Sequence, residues 1–407
     1  MSRKYSDREN QIIANQEYVD YSENEPVEFI NDKGEIESIG IVREVISDDS
    51  GLDGYVVENT ETKEITILFQ GSKAPFANTP ESKADWNMNN IPMLMNLLLQ
   101  KKASVPQLEA GAAKLNEILR KYPDSTINLY AHSLAGMVVQ YSLANVDDIT
   151  RIGEAHIYQT PNIYSSFTEE QKLKVNALKY RIVNYEDQWD IVALFYNPIN
   201  SENAVGIVKH VDSKLLLNIE KQHMWGGYNY DENGSVKIKN DGSTFESIFA
   251  PAFDSANSRS YLYSLMKSKL SIDGISRSEG IFLDSQQAEI ISTGISIAAN
   301  IGYETISEYQ KQAHNAAENL LSTTRTIPFG FISSLDEVEN AYYAGGITYS
   351  TIVGDVDRKL TPKVEKMRQL SEEFKVIEVS IKKGIEEMLL KDKHLAGEFS
   401  KWTKLKW

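Results

Sequence analysis

Ser133 stands where a hydroxyl can attack a carbonyl. It lies in Leu129-Tyr130-Ala131-His132-Ser133-Leu134-Ala135-Gly136, a hydrophobic strand that turns at the serine directly into a helix. Such a turn lifts one hydroxyl out of the end of a sheet and sets it beside the unpaired amides of the helix's first turn, which can stabilise an oxyanion. Strand and helix backbones pass close there, so the positions two residues either side must be small. Both, Ala131 and Ala135, are alanine where glycine is usual. The plainer reading is a serine that only begins a helix.

A serine hydroxyl is a weak nucleophile at neutral pH and needs a histidine to take its proton and an acid to orient that histidine. The chain has six histidines. His132 adjoins the serine and is expected to point away from it, His156 lies in a buried-looking strand, and His314 and His394 fall in a helical stretch. His223, at the start of the aromatic, glycine-containing segment His223-Met224-Trp225-Gly226-Gly227-Tyr228, is preferred as the base, with His210 the alternative. For the acid, Glu186-Asp187-Gln188-Trp189-Asp190 follows a strand-like run; Asp190 leads, with Asp187 the alternative. The chain order is then serine, acid, histidine. An oxyanion site needs a second donor from another strand end, and Phe69-Gln70-Gly71-Ser72 runs a strand into a small-residue turn. Ser72 and the amide of Leu134 are the expected pair of donors. This chemistry calls for no metal and no cofactor.

Composition narrows the alternatives. The chain has no cysteine, which excludes disulfides, thiolate metal sites and cysteine nucleophiles. A net charge of -16 argues against a nucleic-acid partner, which calls for a basic face. No apolar run approaches the roughly 18 to 20 residues of a membrane span. The start, Met1-Ser2-Arg3-Lys4-Tyr5, lacks the apolar core of a secretory signal peptide.

The elements that must position these residues can be read from spacing. Residues 54–58 and 64–69 read as a hairpin. Leu108, Ala112, Leu115, Leu119 and Tyr122 mark a helix before the strand 127–131, and short strands around 156–158 and 181–185 are expected to lie parallel in the same sheet. Past about residue 275 no strand pattern remains. Asp284 with Gln287 reads as a capping box opening a long helix, whose stripe runs Ile291, Ile295, Ala298, Gly302, Ile306, Tyr309, Ala313, Ala316 and Leu320. A break at 325–331, a second capping box at Ser334 and Glu337, and a hairpin partner around 335–356 follow. Thr361 and Pro362 read as the start of a third helix with a stripe from Met367 to Met388. The division gives residues 1–272 as a catalytic part and 273–407 as a helical one. Ile91 to Leu99, apolar nearly all round, reads either as a core helix or as a lid beside the site.

The run Phe69-Gln70-Gly71-Ser72, then Asp85-Trp86, Lys121-Tyr122-Pro123 and Leu129 to Gly136, resembles the class 3 (fungal-type) lipase family over about residues 40 to 230. The resemblance implies an α/β-hydrolase fold, and the helical pattern past residue 275 adds an all-α helical-hairpin domain after it. It also implies Ser133 as nucleophile, Asp190 as acid, His223 as base and Ser72 in the oxyanion hole. The helical part resembles the targeting region of LXG toxins exported by Gram-positive type VII secretion, placed last as in the reverse-order lipase effectors of that system. That resemblance implies small helical WXG100-like partners, an immunity protein, and export without a cleavable signal peptide from a cytoplasmic pool. The expected activity is a serine esterase acting on lipid acyl esters at a membrane surface, most concretely a phospholipase or lysophospholipase. A thioesterase or small-ester hydrolase with the same triad, and an inactive hydrolase fold used for binding, are the alternatives.

Overall fold

The computed structural model describes residues 4–71, 106–190, 203–239, 243–271, 274–324 and 335–404. Ser72, Ile91 to Leu99, and Ser334 with its capping box lie outside the described residues.

Eight strands form one sheet whose spatial order is the chain order. They are β1 (Pro26–Ile30), β2 (Ile36–Ser47), β3 (Asp53–Glu58), β4 (Ile65–Phe69), β5 (Ile127–His132), β6 (Ile152–Tyr158), β7 (Ile182–Asp187) and β8 (Ile207–Val211). β1 to β4 are antiparallel neighbours, and β4 to β8 run parallel. The expected hairpin is β3 and β4, joined by a polar turn in which Lys63 takes a positive φ of 61°. Parallel strands need crossovers. Among the described residues these include α2 (Pro106–Lys121), α3 (Leu134–Ala144) and α4 (Glu169–Ala177), preceded in the chain by α1 (Asp7–Asn15).

The two faces of the sheet carry separate cores. Ile67, Phe69, Leu129, Ala131 and Ile157 pack with Leu115 and Ile118 of α2 and Val138 and Val139 of α3. On the other face Leu68, Tyr130, Tyr158 and Tyr185 pack with Ile13 of α1 and with Trp225. The central strands are therefore buried on both sides, which is why β4 reads as the run Ile-Thr-Ile-Leu-Phe, whereas the edge strand β1 alternates exposed and buried positions. This face also stacks its aromatics, with Tyr158 and Tyr185 parallel at 4.6 Å.

Past β8 come α5 (Ile219–His223), α6 (Ser243–Leu270), α7 (Arg277–Thr324), α8 (Leu335–Ala344) and α9 (Tyr349–Lys404). Internal contacts divide the chain within α6: Met1–Ala250 with Asn257–Tyr261 form one unit, Pro251–Ala256 with Leu262–Trp407 the other. The architecture is an α/β sheet unit followed by an all-helical one.

In the helical unit α7 and α9 are an antiparallel pair. Thr293 bonds Glu378 at 3.2 Å, Gln310 bonds Thr361 at 2.9 Å, and His314 bonds Asp357 at 2.9 Å. Several expectations are corrected here. α7 begins seven residues before Asp284, because Ser276 and Glu279 form the reciprocal cap (2.7 and 3.3 Å). Asp284 is an exposed residue within the helix. The third helix does not begin at Thr361 and Pro362; α9 starts at Tyr349 behind Thr348, which exchanges bonds with Thr351, and Pro362 is interior. An interior proline costs about 3 kcal/mol, and packing along α7, to which Thr361 contributes a hydrogen bond, holds the helix continuous. The long partner of α7 is accordingly α9, not a helix over 335–356. The expected small-residue stripe forms the seam only in part: Gly302 is buried in it, while its large members are exposed. Ile291 and Leu320 are 60% and 56% exposed, and the buried positions of α7 are Leu283, Ser285, Ser292, Ser296, Gly302 and Ala317. Small residues let the helix axes approach, and at Gly302 an added Cβ would sit 3.1 Å from Met367.

Candidate active site

β5 delivers Ser133 to the start of α3 in a conformation few side chains adopt, φ 57° and ψ -128°. A non-glycine residue there costs about 1 to 3 kcal/mol, which surrounding bonds must offset. Ser133 N donates to Tyr158 O at 2.9 Å, and Gly136 N donates to Ser133 O at 3.1 Å. The Ser133 side chain makes no capping bond to α3, so a serine present merely to begin the helix does not describe it. Ala131 and Ala135 are fully buried without displacing the turn. The position that admits no side chain is Gly136, where a Cβ would meet Thr160 at 2.5 Å and Ile157 at 2.7 Å.

β7 ends at Asp187, and a turn closed by Asp190 N to Asp187 O (3.1 Å) presents Asp190. Asp190 Oδ2 lies 2.7 Å from His223 Nδ1, with both side chains buried. The carboxylate can only accept, so Nδ1 carries the proton and Nε2 is the basic nitrogen of His223. Asp187 is committed elsewhere. It accepts from the Ser213 hydroxyl, from Gln222 Nε2 at 2.5 Å and from Trp189 N at 2.9 Å. Gln222 adjoins His223, so Asp187 ties down the segment from which the histidine projects. Gly227 belongs to the same device, since a Cβ there would lie 2.4 Å from Gln222 Nε2 and 3.3 Å from Asp187 Oδ2. His210 sits on β8 with Nδ1 3.6 Å from Glu186 Oε2. Burial alone pushes the Glu186 carboxyl well above the usual carboxylate range. The structure thus brings Asp190 to His223 and leaves Asp187 and His210 in other pairings.

His132 does more than the sequence suggests. Its Nε2 bonds the carbonyl oxygen of His223 at 2.8 Å, its ring lies 4.4 Å from that of His223 and 4.3 Å from Trp225, and Nδ1 is 2.7 Å from the Tyr18 hydroxyl. The residue before Ser133 therefore holds the backbone of His223. Burial, reinforced by the His223 ring, keeps His132 well below the ordinary histidine range, so it is neutral. Tyr18, and Glu17 beside it, were not legible as site residues. They lie more than a hundred residues upstream in a polar stretch with no motif.

The end of β4 is next to the serine strand. Phe69 pairs with Ala131, and Gly71 follows against the His132 carbonyl, where a Cβ would approach to 2.9 Å. Leu134 opens α3 and offers a first-turn amide beside Ser133. Among the described residues no group of three or more histidines or acids is arranged to hold a metal ion. No described helix is long and apolar enough to cross a membrane.

The sequence matches no protein-family model and no curated protein. Among solved structures the chain is similar to a triacylglycerol lipase from Penicillium expansum, at 14% identity over 60% of this chain and 89% of that one, with a TM-score of 0.31. It is similar to Lip2 lipase from Yarrowia lipolytica at 13% identity, over 51% and 77% of the two chains, with a TM-score of 0.30. The Rhizomucor miehei lipase propeptide complex is similar at 14% identity, over 38% and 51%, with a TM-score of 0.26.

Proposed function

We propose that the α/β unit is a serine hydrolase that cleaves acyl esters of lipids, with phospholipids or lysophospholipids as the substrate class. The observation that carries the hydrolase reading is the strained Ser133 at the strand-to-helix turn, with the buried Asp190 and His223 pair 2.7 Å apart on the segment bonded to His132. Ser133 Oγ attacks the ester carbonyl as His223 Nε2 takes its proton, and Asp190 stabilises the imidazolium. The oxyanion is held by the Leu134 amide and by Ser72. Collapse of the tetrahedral intermediate expels the alcohol, which takes the proton from His223. Water, deprotonated by the same histidine, then releases the fatty acid and restores Ser133. The lipid assignment rests on the sequence resemblance to class 3 lipases over about residues 40 to 230.

The helical unit is, in this reading, a targeting module. It carries the chain out through a type VII route with small helical partners, and an immunity protein restrains the esterase in the producing cell. The LXG-like sequence and the exposed apolar residues of α7 support it. A fluorophosphonate probe tests the chemistry: it should label the protein at Ser133, and Ser133→Ala should lose both labelling and release of fatty acid from a lipid panel read by mass. Persistent labelling of that variant would remove Ser133 from the mechanism. Secretion of the intact chain, compared with a chain carrying Ile295→Asp, tests the export role.

A further inference from the structure

The site is backed by a segment that the reaction itself does not use. Just after α1, Glu17 is fully buried. Its Oε1 accepts from Gly71 N at 3.1 Å, and its carboxyl interacts with the Tyr18 hydroxyl and the His132 amide. Its backbone carbonyl accepts from Gln70 Nε2 at 2.8 Å. At Gly71 an added Cβ would lie 2.6 Å from the Tyr18 hydroxyl. The end of β4, the end of β5 and this segment therefore meet at one point.

The hydrogen bonds there have only one consistent direction. The His223 carbonyl can only accept, so His132 Nε2 donates to it. His132 is neutral, which leaves Nδ1 as an acceptor, and the neighbour at 2.7 Å, the Tyr18 hydroxyl, must donate. Beside it, burial pushes the Glu17 carboxyl well above the usual carboxylate range, while its Oε1 accepts from Gly71 N. The order is Tyr18 to His132 to the carbonyl of His223.

Resting on the hydrolase reading above, we propose that Glu17 and Tyr18 are positioning residues of the site. Through His132, Tyr18 holds the backbone of the base, and through Gly71 and Gln70, Glu17 holds the strand end beside the nucleophile. A chain with one permitted direction fixes the His132 tautomer, and with it the contact to His223. Neither residue touches substrate.

The experiment compares full-length Tyr18→Phe with Tyr21→Phe, which also loses a tyrosine hydroxyl near α1, one bonded to Gln16 at 2.6 Å and away from His132. On a short-chain soluble ester, Tyr18→Phe should lower kcat about 10- to 100-fold, the scale of a misplaced catalytic group, with KM unchanged, while Tyr21→Phe keeps kcat. Should Tyr18→Phe fail to fold, the pair at Glu17 decides. Glu17→Gln retains an acceptor for Gly71 and should rescue most of the turnover lost in Glu17→Leu. Nitrogen NMR of the wild-type imidazoles should place the His132 proton on Nε2. Equal losses in the two tyrosine variants, an unchanged kcat in Tyr18→Phe, no difference between the Glu17 variants, or a proton on Nδ1 of His132 overturns the proposal. If wild-type Ser133 takes no probe and no ester is cleaved, the hydrolase reading falls, and the NMR result still decides whether the chain is ordered as described.

Discussion

Two histidine-carboxylate pairs lie at the same end of the sheet, and they differ in every respect that matters for proton transfer. Glu186, on β7, faces His210 of β8 at 3.6 Å, beyond hydrogen-bond reach, and the histidine is partly open to solvent. Asp190, on the turn after β7, meets His223 at 2.7 Å with both partners buried, and His132 binds the same histidine's backbone from behind. Burying an acid without a close partner leaves it protonated; burying it against a histidine N–H orients a base. Proximity of acid and histidine along neighbouring elements is therefore a poor guide, and a third contact sets the pair proposed for catalysis apart from the other.

That contrast can be broken most severely at His223. His223→Ala should lower kcat by about 10⁴-fold or more, the scale seen when a unit of nucleophile and base is dismantled, measured by ester hydrolysis with folding checked by circular dichroism. Asp190→Asn should cost roughly 10³- to 10⁴-fold, because an amide no longer enforces the Nδ1–H tautomer; a loss below tenfold would shift the role of the acid to another group. Asp187→Asn should cost far less, about tenfold, accompanied by a lower melting temperature, since it loosens Ser213 and Gln222 and not the base itself. His210→Ala should remain within about threefold of wild type, and a larger deficit would erase the distinction drawn between the pairs.

The smallest effect is a pH dependence at Glu186. Its folded-state pKa is raised by burial, so its contribution is fully present below the unfolded value and is lost as pH rises toward the folded one. Glu186→Gln, neutral at every pH, should match wild type in acid and exceed its thermal stability at neutral and alkaline pH. Melting curves that stay parallel across pH would show that Glu186 ionises without penalty.

The site was partly legible in the sequence because its strongest signals are local. A hydrophobic run turning at a serine flanked by small residues encodes β5, Ser133 and α3 in eight positions, and Asp190 follows the end of β7. What escaped is non-local. His132 was expected to point away from Ser133, which says nothing of what waits on the other face; that its ring reaches the backbone of a residue 91 positions later depends on the tertiary path. β2, Ile-Glu-Ser-Ile-Gly-Ile-Val-Arg-Glu-Val-Ile-Ser, mixes charges into its strand and shifts register between Val42 and Glu44, so no clean alternation survives. In the helical unit the pattern misled in part. The small-residue stripe expected as the seam holds at Gly302, but its large members Ile291, Ile295, Tyr309 and Leu320 are exposed, and Ser292, Ser296 and Ala317 are buried in their place.

The strictly sequential strand order has a consequence for how the molecule assembles. Each strand finds its neighbour next along the chain, so the sheet can grow by steps of short to moderate loop closure. The nine residues of α1 are the exception. Asn10 bonds Tyr130 at 2.8 Å, Asp7 bonds Tyr185 at 2.5 Å and Val236 N at 3.0 Å, and Arg8 N bonds Gly234 O at 2.9 Å. α1 is thus made well before the strands and the turn it docks on, and contacts of such long range form slowly. Docking of α1 is expected to be a late folding event, visible in pulsed hydrogen exchange as protection of its amides after those of β5. An intermediate with the sheet complete and α1 undocked would contain the serine, the acid and the histidine yet lack the clasp that aligns them, so activity should be acquired after the bulk of the secondary structure.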